Sequence, residues 1–286
     1  MAPHTSNNFY RIMSKVNAII IIVFLVIMSF IVLYPLAHVF SAAFTPGNSI
    51  ADMPIVPFSG GITFDHFIFL FTRTNYPRWF MNTFIVATAT SAGTLVVASL
   101  GSYVFSRFRF TFKKTFLLAM LVLQIFPAVV GMIAIYVILL RFGLLDNLFG
   151  LVLIYLAGNT PFNTWLMKGY LDTIPRSLDD AARIDGASHF YTWLRIIMPV
   201  AKPILIFLAL TSFTGPWMDF ILPRVILRNP ANFTLAVGLF SFITDRRNEF
   251  TVFAAGALIV TVPFVIFFIA SQKMLVTSLG AGAVKE

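Results

Sequence analysis

The sequence contains no cysteine, which excludes disulfide frameworks, zinc–thiolate sites, iron–sulfur clusters and cysteine nucleophiles, and says nothing about redox compartment. It is also poor in charge. Only 11% of its 286 residues are Asp, Glu, Lys or Arg, against roughly a quarter in an ordinary soluble domain. Histidine is rare, and His4, His38, His66 and His189 are scattered along the chain. A membrane-embedded enzyme needs His, Asp or Glu converging at one depth, so no catalytic residue, metal ligand or cofactor site is assigned. The pattern Gly-x-x-x-x-Gly-Lys-Ser/Thr is missing too, and the chain cannot itself cradle a nucleotide in a P-loop.

What the sequence has instead is apolar surface. Hydrophobic residues make up 59% of the chain and include 33 Phe, more than one water-facing core of this length buries, so much of this surface is expected to meet lipid. Six stretches are free or nearly free of charge: Val16 to Ala51, Trp79 to Ser106, Thr115 to Leu140, Asn147 to Met167, Pro203 to Leu222 with Asp219 as its single charge, and Phe250 to Gln272. Each is long enough to cross about 30 Å of hydrocarbon at about 1.5 Å per residue. The reading is an all-α membrane protein with six transmembrane helices, over about 18–43, 80–105, 115–140, 147–167, 203–223 and 250–272. Arg11 and Lys15 would suit the basic flank of a signal peptide, but the following apolar run is too long and lacks a small-residue cleavage site.

Six spans put both termini on one side. With that side in the cytoplasm, 13 of the 20 Lys and Arg fall inside and seven outside, which favours N-in and C-in. The net charge of +9 then records orientation. The cluster Arg107, Arg109, Lys113 and Lys114, interleaved with Phe108, Phe110 and Phe112, has the composition of a nucleic-acid patch, but a short basic turn between spans explains it and no nucleic-acid partner is expected. The chain divides into a cytoplasmic segment 1–15, a transmembrane domain 16–272 and a cytoplasmic tail 273–286. Within the domain, 46–78 is an irregular external excursion carrying Pro46, Pro54, Pro57, Gly60, Gly61 and Pro77. The segment 168–202 is the only cytoplasmic loop large enough for a recognition surface.

In that loop, Pro175, Ser177, Asp179 and Asp180 make a helix start with negative charge in the first turn. Ala181, Ala182 and Ala187 are small enough to let another protein approach the backbone. Gly186 can take the positive φ that stops a helix, and Pro199 marks the start of the fifth span. An ordinary amphipathic connector would have the same composition.

Other polar groups carry weaker signals. Trp217 and Asp219, near the outer end of the fifth span, are substrate-pathway candidates because sugar sites pair carboxylates with aromatic faces; the plainer reading is that Asp219 reaches the interface or bonds a neighbouring helix. His38 and Asn82 read as helix–helix hydrogen-bonding partners. Pro127 and Pro263 are expected to kink the third and sixth spans. Ala87, Ala89, Ala92, Gly93, Ala98, Ser99 and Gly101 give the second span a small-residue face, suited to packing within this chain or against a partner.

The loop resembles the EAA loop of ABC importer permeases, whose Glu-Ala-Ala, two residues, Asp-Gly-Ala, then an aromatic, an Ile and a Pro is matched by Asp180-Ala181-Ala182, Asp185-Gly186-Ala187, Trp193, Ile196 and Pro199. Asp180 stands where that family usually has Glu, and Met198 where it usually has Leu. The resemblance extends to Gln124-Ile125-Phe126-Pro127-Ala128-Val129, to Thr234-Leu235-Ala236-Val237-Gly238 and to the tail Leu279 to Lys285, all similar to the MalG-type second permease subunit of maltose/maltodextrin importers. It implies a prokaryotic plasma-membrane permease for maltose/maltodextrin-type sugars, working by alternating access. The implied partners are a sister permease that completes the pore, two copies of a cytoplasmic ATPase subunit and an external sugar-binding protein. It also implies ATPase coupling through Asp180, Ala181, Ala182, Asp185, Gly186 and Ala187, and an ATPase-interface tail with Gly280, Gly282, Ala283 and Lys285. The competing readings are a permease for another oligosaccharide and an ion-coupled secondary carrier. The carrier would need ion-coordinating groups near the midplane, where the spans hold almost no ionisable residue.

Overall fold

The computed structural model describes residues 6–125, 127–244 and 248–283, with side chains described from 15 to 269 apart from positions 128, 267 and 268 in those ranges. Phe126, Arg246, Arg247, Val284 and Lys285 therefore lie outside the described residues. Every regular element among the described residues is helical. In chain order these are α1 (Ser6–Ala42), α2 (Asp65–Arg73), α3 (Tyr76–Arg107), α4 (Lys113–Ile125), α5 (Ala128–Arg141), α6 (Leu148–Asp172), α7 (Ser177–Ile184), α8 (His189–Tyr191), α9 (Met198–Val200), α10 (Lys202–Met218), α11 (Ile221–Ile226), α12 (Leu235–Phe240) and α13 (Phe250–Ala283). A wider π turn, Thr192–Ile197, joins α8 to α9. The described residues form two compact units, those within 1–69 and 242–259 and those within 70–241 and 260–286.

In the first unit, α1 carries a 28-residue apolar stretch, Lys15–Ala42, whose most apolar window buries none of its residues within the chain. That is what a lipid- or partner-facing helix requires. The segment after it, expected to be irregular, is ordered around aromatic rings. Phe44 lies 5.4 Å from Phe40, 5.4 Å from Phe64 and 5.1 Å from Phe67, measured between ring centroids. Ser49 and Asp52 form a reciprocal capping box, and the buried His66 ring bonds the Thr45 carbonyl at 2.8 Å. His38 bonds Tyr34 on its own helix at 3.1 Å.

In the second unit, α3 packs most extensively against α6 and then α10. Its small residues explain why. A Cβ added at Gly93 would sit 3.2 Å from Leu156, and one at Gly101 would sit 3.2 Å from Thr164, both on α6; Ala87, Ala98 and Ser99 are buried. This part of the small face packs within the chain, while Ala89 and Ala92 are exposed. Ser91 also donates to the Ala209 carbonyl of α10 at 3.0 Å, but such interhelical bonds average only about 0.6 kcal/mol in membrane proteins, so close packing carries more of the association.

Among the described residues two helices, Lys15–Ala42 and Tyr76–Arg107, are each long and apolar enough to cross a bilayer, and two bent pairs would raise this to four. The differences from the expected spans have local causes. The third stretch is two helices, α4 and α5, because Pro127 immediately precedes α5 and offers no N–H to continue a helix through it. In the fifth, α10 ends at Met218, short of the expected 223, and an 84° bend just before the expected start separates it from His189–Val200. The fourth, α6, is 25 residues long but carries Asn159, Thr160, Pro161 and Asn163 in its middle.

Candidate functional site

The strongest sequence motif folds onto the adjoining ends of α3 and α6. Tyr103, Met167, Leu171, Ile174, Trp193, Ile197, Met198, Ala201 and Leu208 form one buried cluster, so the motif aromatic Trp193 is a core residue of the loop. Helix α7 starts at Ser177, with Asp179 and Asp180 in its first turn as the pattern predicts, but Arg176 occupies the cap position and supplies no side-chain cap. The helix stops at Gly186, whose φ is +81°. The Ala187 N–H bonds the Ala182 carbonyl at 2.9 Å and the Gly186 N–H bonds that of Arg183 at 3.0 Å, the paired bonds of a Schellman end.

The two neighbouring acids face opposite ways. Asp180 is exposed with Ala181, Asp185 and Gly186, and Ile184 is 87% exposed between them. Ala182 differs from the expected small outer face: it is buried against this chain, and Ala187 is half-buried. Asp179 is buried and lies 2.9 Å from the Arg107 Nε through its Oδ2, with 5% of the Arg107 side chain and 7% of the Asp179 side chain exposed. Its Oδ1 accepts from the Tyr103 hydroxyl at 3.3 Å.

Arg107 does more than pair. Its Nη1 donates to the Leu171 carbonyl at 3.1 Å, which also accepts from the Ile174 N–H, and its Nη2 to that of Ile174 at 3.2 Å, so the guanidinium grips the chain where α6 ends. Arg176 returns a bond to the Ser106 carbonyl at 3.0 Å, and the Ser106 hydroxyl donates to Asp172 at 2.7 Å. Burial works against charge on Asp172, but the Lys168 ammonium at 2.6 Å and the Ser106 hydroxyl outweigh it and hold this carboxyl below its ordinary range. Sequence reasoning read Arg107 only as part of a basic turn and missed this network. Its signal was a base in the last turn of α3 and an acid one place before the motif.

The pathway candidates come out differently. Trp217 is 4% exposed, enclosed by Phe80, Phe213 and Phe264 at 5.2, 5.9 and 5.7 Å between centroids. Asp219 accepts from the Tyr155 hydroxyl of α6 at 2.9 Å and from the Ile221 N–H at 3.0 Å, so it joins two helices and caps α11. Asn82 donates to the carbonyls of Ala231 and Phe233 at 2.9 and 3.0 Å. Gly280, Gly282 and Ala283 are described by backbone alone, as the last turns of α13.

The family described as "Binding-protein-dependent transport system inner membrane component" matches residues 95–279. The maltodextrin transport system permease protein MdxG of Bacillus subtilis is 40% identical over 270 residues, covering 94% of this chain and 96% of its own. The galactooligosaccharides transport system permease protein GanQ of the same organism is 41% identical over 265 residues, covering 91% and 93%. Among solved structures, a bacterial ABC transporter involved in the import of the acidic polysaccharide alginate has a similar chain, with TM-score 0.77, 25% identity and coverage of 96% of this chain and 99% of that one.

Proposed function

The chain belongs to the binding-protein-dependent transport system inner membrane component family, and from that premise we propose that it is the permease subunit of an ATP-driven importer of maltodextrin-type oligosaccharides. The observation that carries this reading is the near full-length similarity to a maltodextrin permease. A galactooligosaccharide is the second reading, favoured by an identity to GanQ of 41%.

The subunit sits in a prokaryotic plasma membrane as six spans with both termini inside. The distribution of Lys and Arg supports that orientation, and α4 with α5 forms one broken span. A sister permease completes the pore, an external binding protein delivers sugar, and two ATPase subunits dock beneath 168–202. The exposed face of Asp180, Ala181, Ile184, Asp185 and Gly186 suits docking: small residues admit close approach, and the acids meet basic groups of the partner. Closure of the ATPases displaces α7, and the attached helices reorient to open the pore outward. Trp217 and Asp219 shape the pathway wall by holding α10, α11 and α6 together.

Reconstitution in proteoliposomes tests the proposal. With ATPase, sister permease and binding protein present, uptake of labelled maltodextrin should require internal ATP, and unlabelled maltodextrin should compete better than galactooligosaccharide. Sugar uptake without the ATPase, or failure of the chain to co-purify with it, would overturn the reading.

A further inference from the structure

We propose that Arg107 and Asp179 are positioning residues that weld α7 and the loop behind it to the Arg107 end of α3, so that a push on the loop is delivered to α3 rather than absorbed in the linker 173–176. This rests on the reading that α7 docks an ATPase, and it adds the route by which force leaves the docking face.

The geometry supplies the argument. A helix of eight residues attached by short linkers would swing about them if its inward face were held only by Ala182. Three separate chain segments instead converge on one guanidinium: Asp179 of α7, Leu171 at the end of α6 and Ile174 in the linker, all held by a side chain rooted in the last turn of α3. Tyr103, one turn earlier on α3, bonds the same carboxylate. Arg176 and the Ser106 carbonyl close the connection from the loop side. The planar fork of Arg directs both Nη groups at the two carbonyls while its Nε lies against the carboxylate, a spread that a point-charge ammonium does not have. Removing water from the pair strengthens the attraction that resists separation. The motif acid Asp180 is exposed on the same helix, so the two consecutive acids divide the work, one outward to the partner and one inward to α3.

The test uses the full reconstituted transporter with Asp179→Asn and Arg107→Lys, each preserving shape or charge. Assembly with the ATPase, ATP hydrolysis and sugar uptake are measured on the same vesicles, and the reading is sugar carried per ATP. Both variants should assemble and hydrolyse ATP, with sugar carried per ATP falling about tenfold, within the range of measured coupling effects. An unchanged ratio would overturn the proposal, whether total activity holds or falls in proportion. So would loss of assembly in both variants, which would make the pair an element of folding alone. The docking reading itself is judged on the unaltered transporter: if that complex does not form or needs no ATP, the docking reading fails, independently of what the variants do.

Discussion

Helix α3 is fastened at both ends, by opposite means. At its Tyr76 end the bonds are neutral and run to the backbone of the short turn Pro230–Asn232, of Phe233 and of the first residue of α12. Trp79 donates to the Pro230 carbonyl at 2.7 Å, Asn82 to those of Ala231 and Phe233, and the Thr83 hydroxyl accepts from the Leu235 N–H at 2.7 Å. At its Arg107 end the partners are a buried carboxylate and the carbonyls that terminate a regular helix. A neutral hydrogen bond weakens steeply once the donor and acceptor separate or tilt, while Coulomb attraction falls only in inverse proportion to distance. The Tyr76 end therefore holds one geometry, and the Arg107 end keeps its grip through small displacements, which suits an end that is pushed.

The largest way to break this comparison is Arg107→Ala. It strands a buried carboxylate and takes one donor from each of the Leu171 and Ile174 carbonyls, and should cost about 4 kcal/mol, in the range for removing one partner of a buried pair. Thermal unfolding of the detergent-purified transporter checks it. The double variant Arg107→Met with Asp179→Leu should recover much of the loss, since apolar replacement of both charges removes the desolvation cost as well. A double variant as unstable as the single one would show that the carbonyl bonds, not the ion pair, dominate.

At the other end, Gly238→Val is the strongest perturbation, because even the Cβ would collide with Cε3 and Cδ2 of the Trp79 indole. Trp79 is buried and bonded, so it cannot swing away. Overpacking of this kind should cost about 3 kcal/mol, read as lower folded yield and a lower unfolding midpoint, and a midpoint equal to that of the unaltered protein would mean that α12 shifts freely on α3. Asn82→Ala is milder. It leaves two carbonyls without their donor and should cost about 2 kcal/mol, with sugar carried per ATP unchanged, whereas variants at the Arg107 end change that ratio.

These ends were unequally legible in the sequence. Gly186 announced its own turn, since few other residues take a φ of +81° without strain, and the small face of α3 announced close packing. Asn82 was legible as a bonding residue but its partners were not, because they are backbone carbonyls of a segment whose path depends on tertiary contacts. The identity of the inward acid was hidden for a different reason. Asp179 and Asp180 are adjacent, either suits the first turn of a helix, and only the position of α3 decides which one meets Arg107. The end of α10 at Met218 was not legible because the apolar composition continues past Asp219, whose carboxylate accepts from the first N–H of α11.

The smallest expected effect lies at the edge of the charged end, in Asp172. Its carboxyl is held below the ordinary 3.8 by Lys168 and Ser106 acting against burial. A depressed folded pKa means that the stabilisation is complete above the unfolded value and is lost as pH falls through the folded one. The Asp172 side chain is 42% exposed, so solvent screening limits its contribution to about half a kcal/mol. Between about pH 5 and pH 3, the unfolding midpoint of the unaltered protein should decline slightly more steeply than that of Asp172→Asn, which carries no titrating carboxyl at this position. Identical slopes would show that the Lys168–Asp172 pair lends nothing to the Arg107 end. The whole asymmetry between the two ends of α3 would then rest on the buried pair of Arg107 and Asp179.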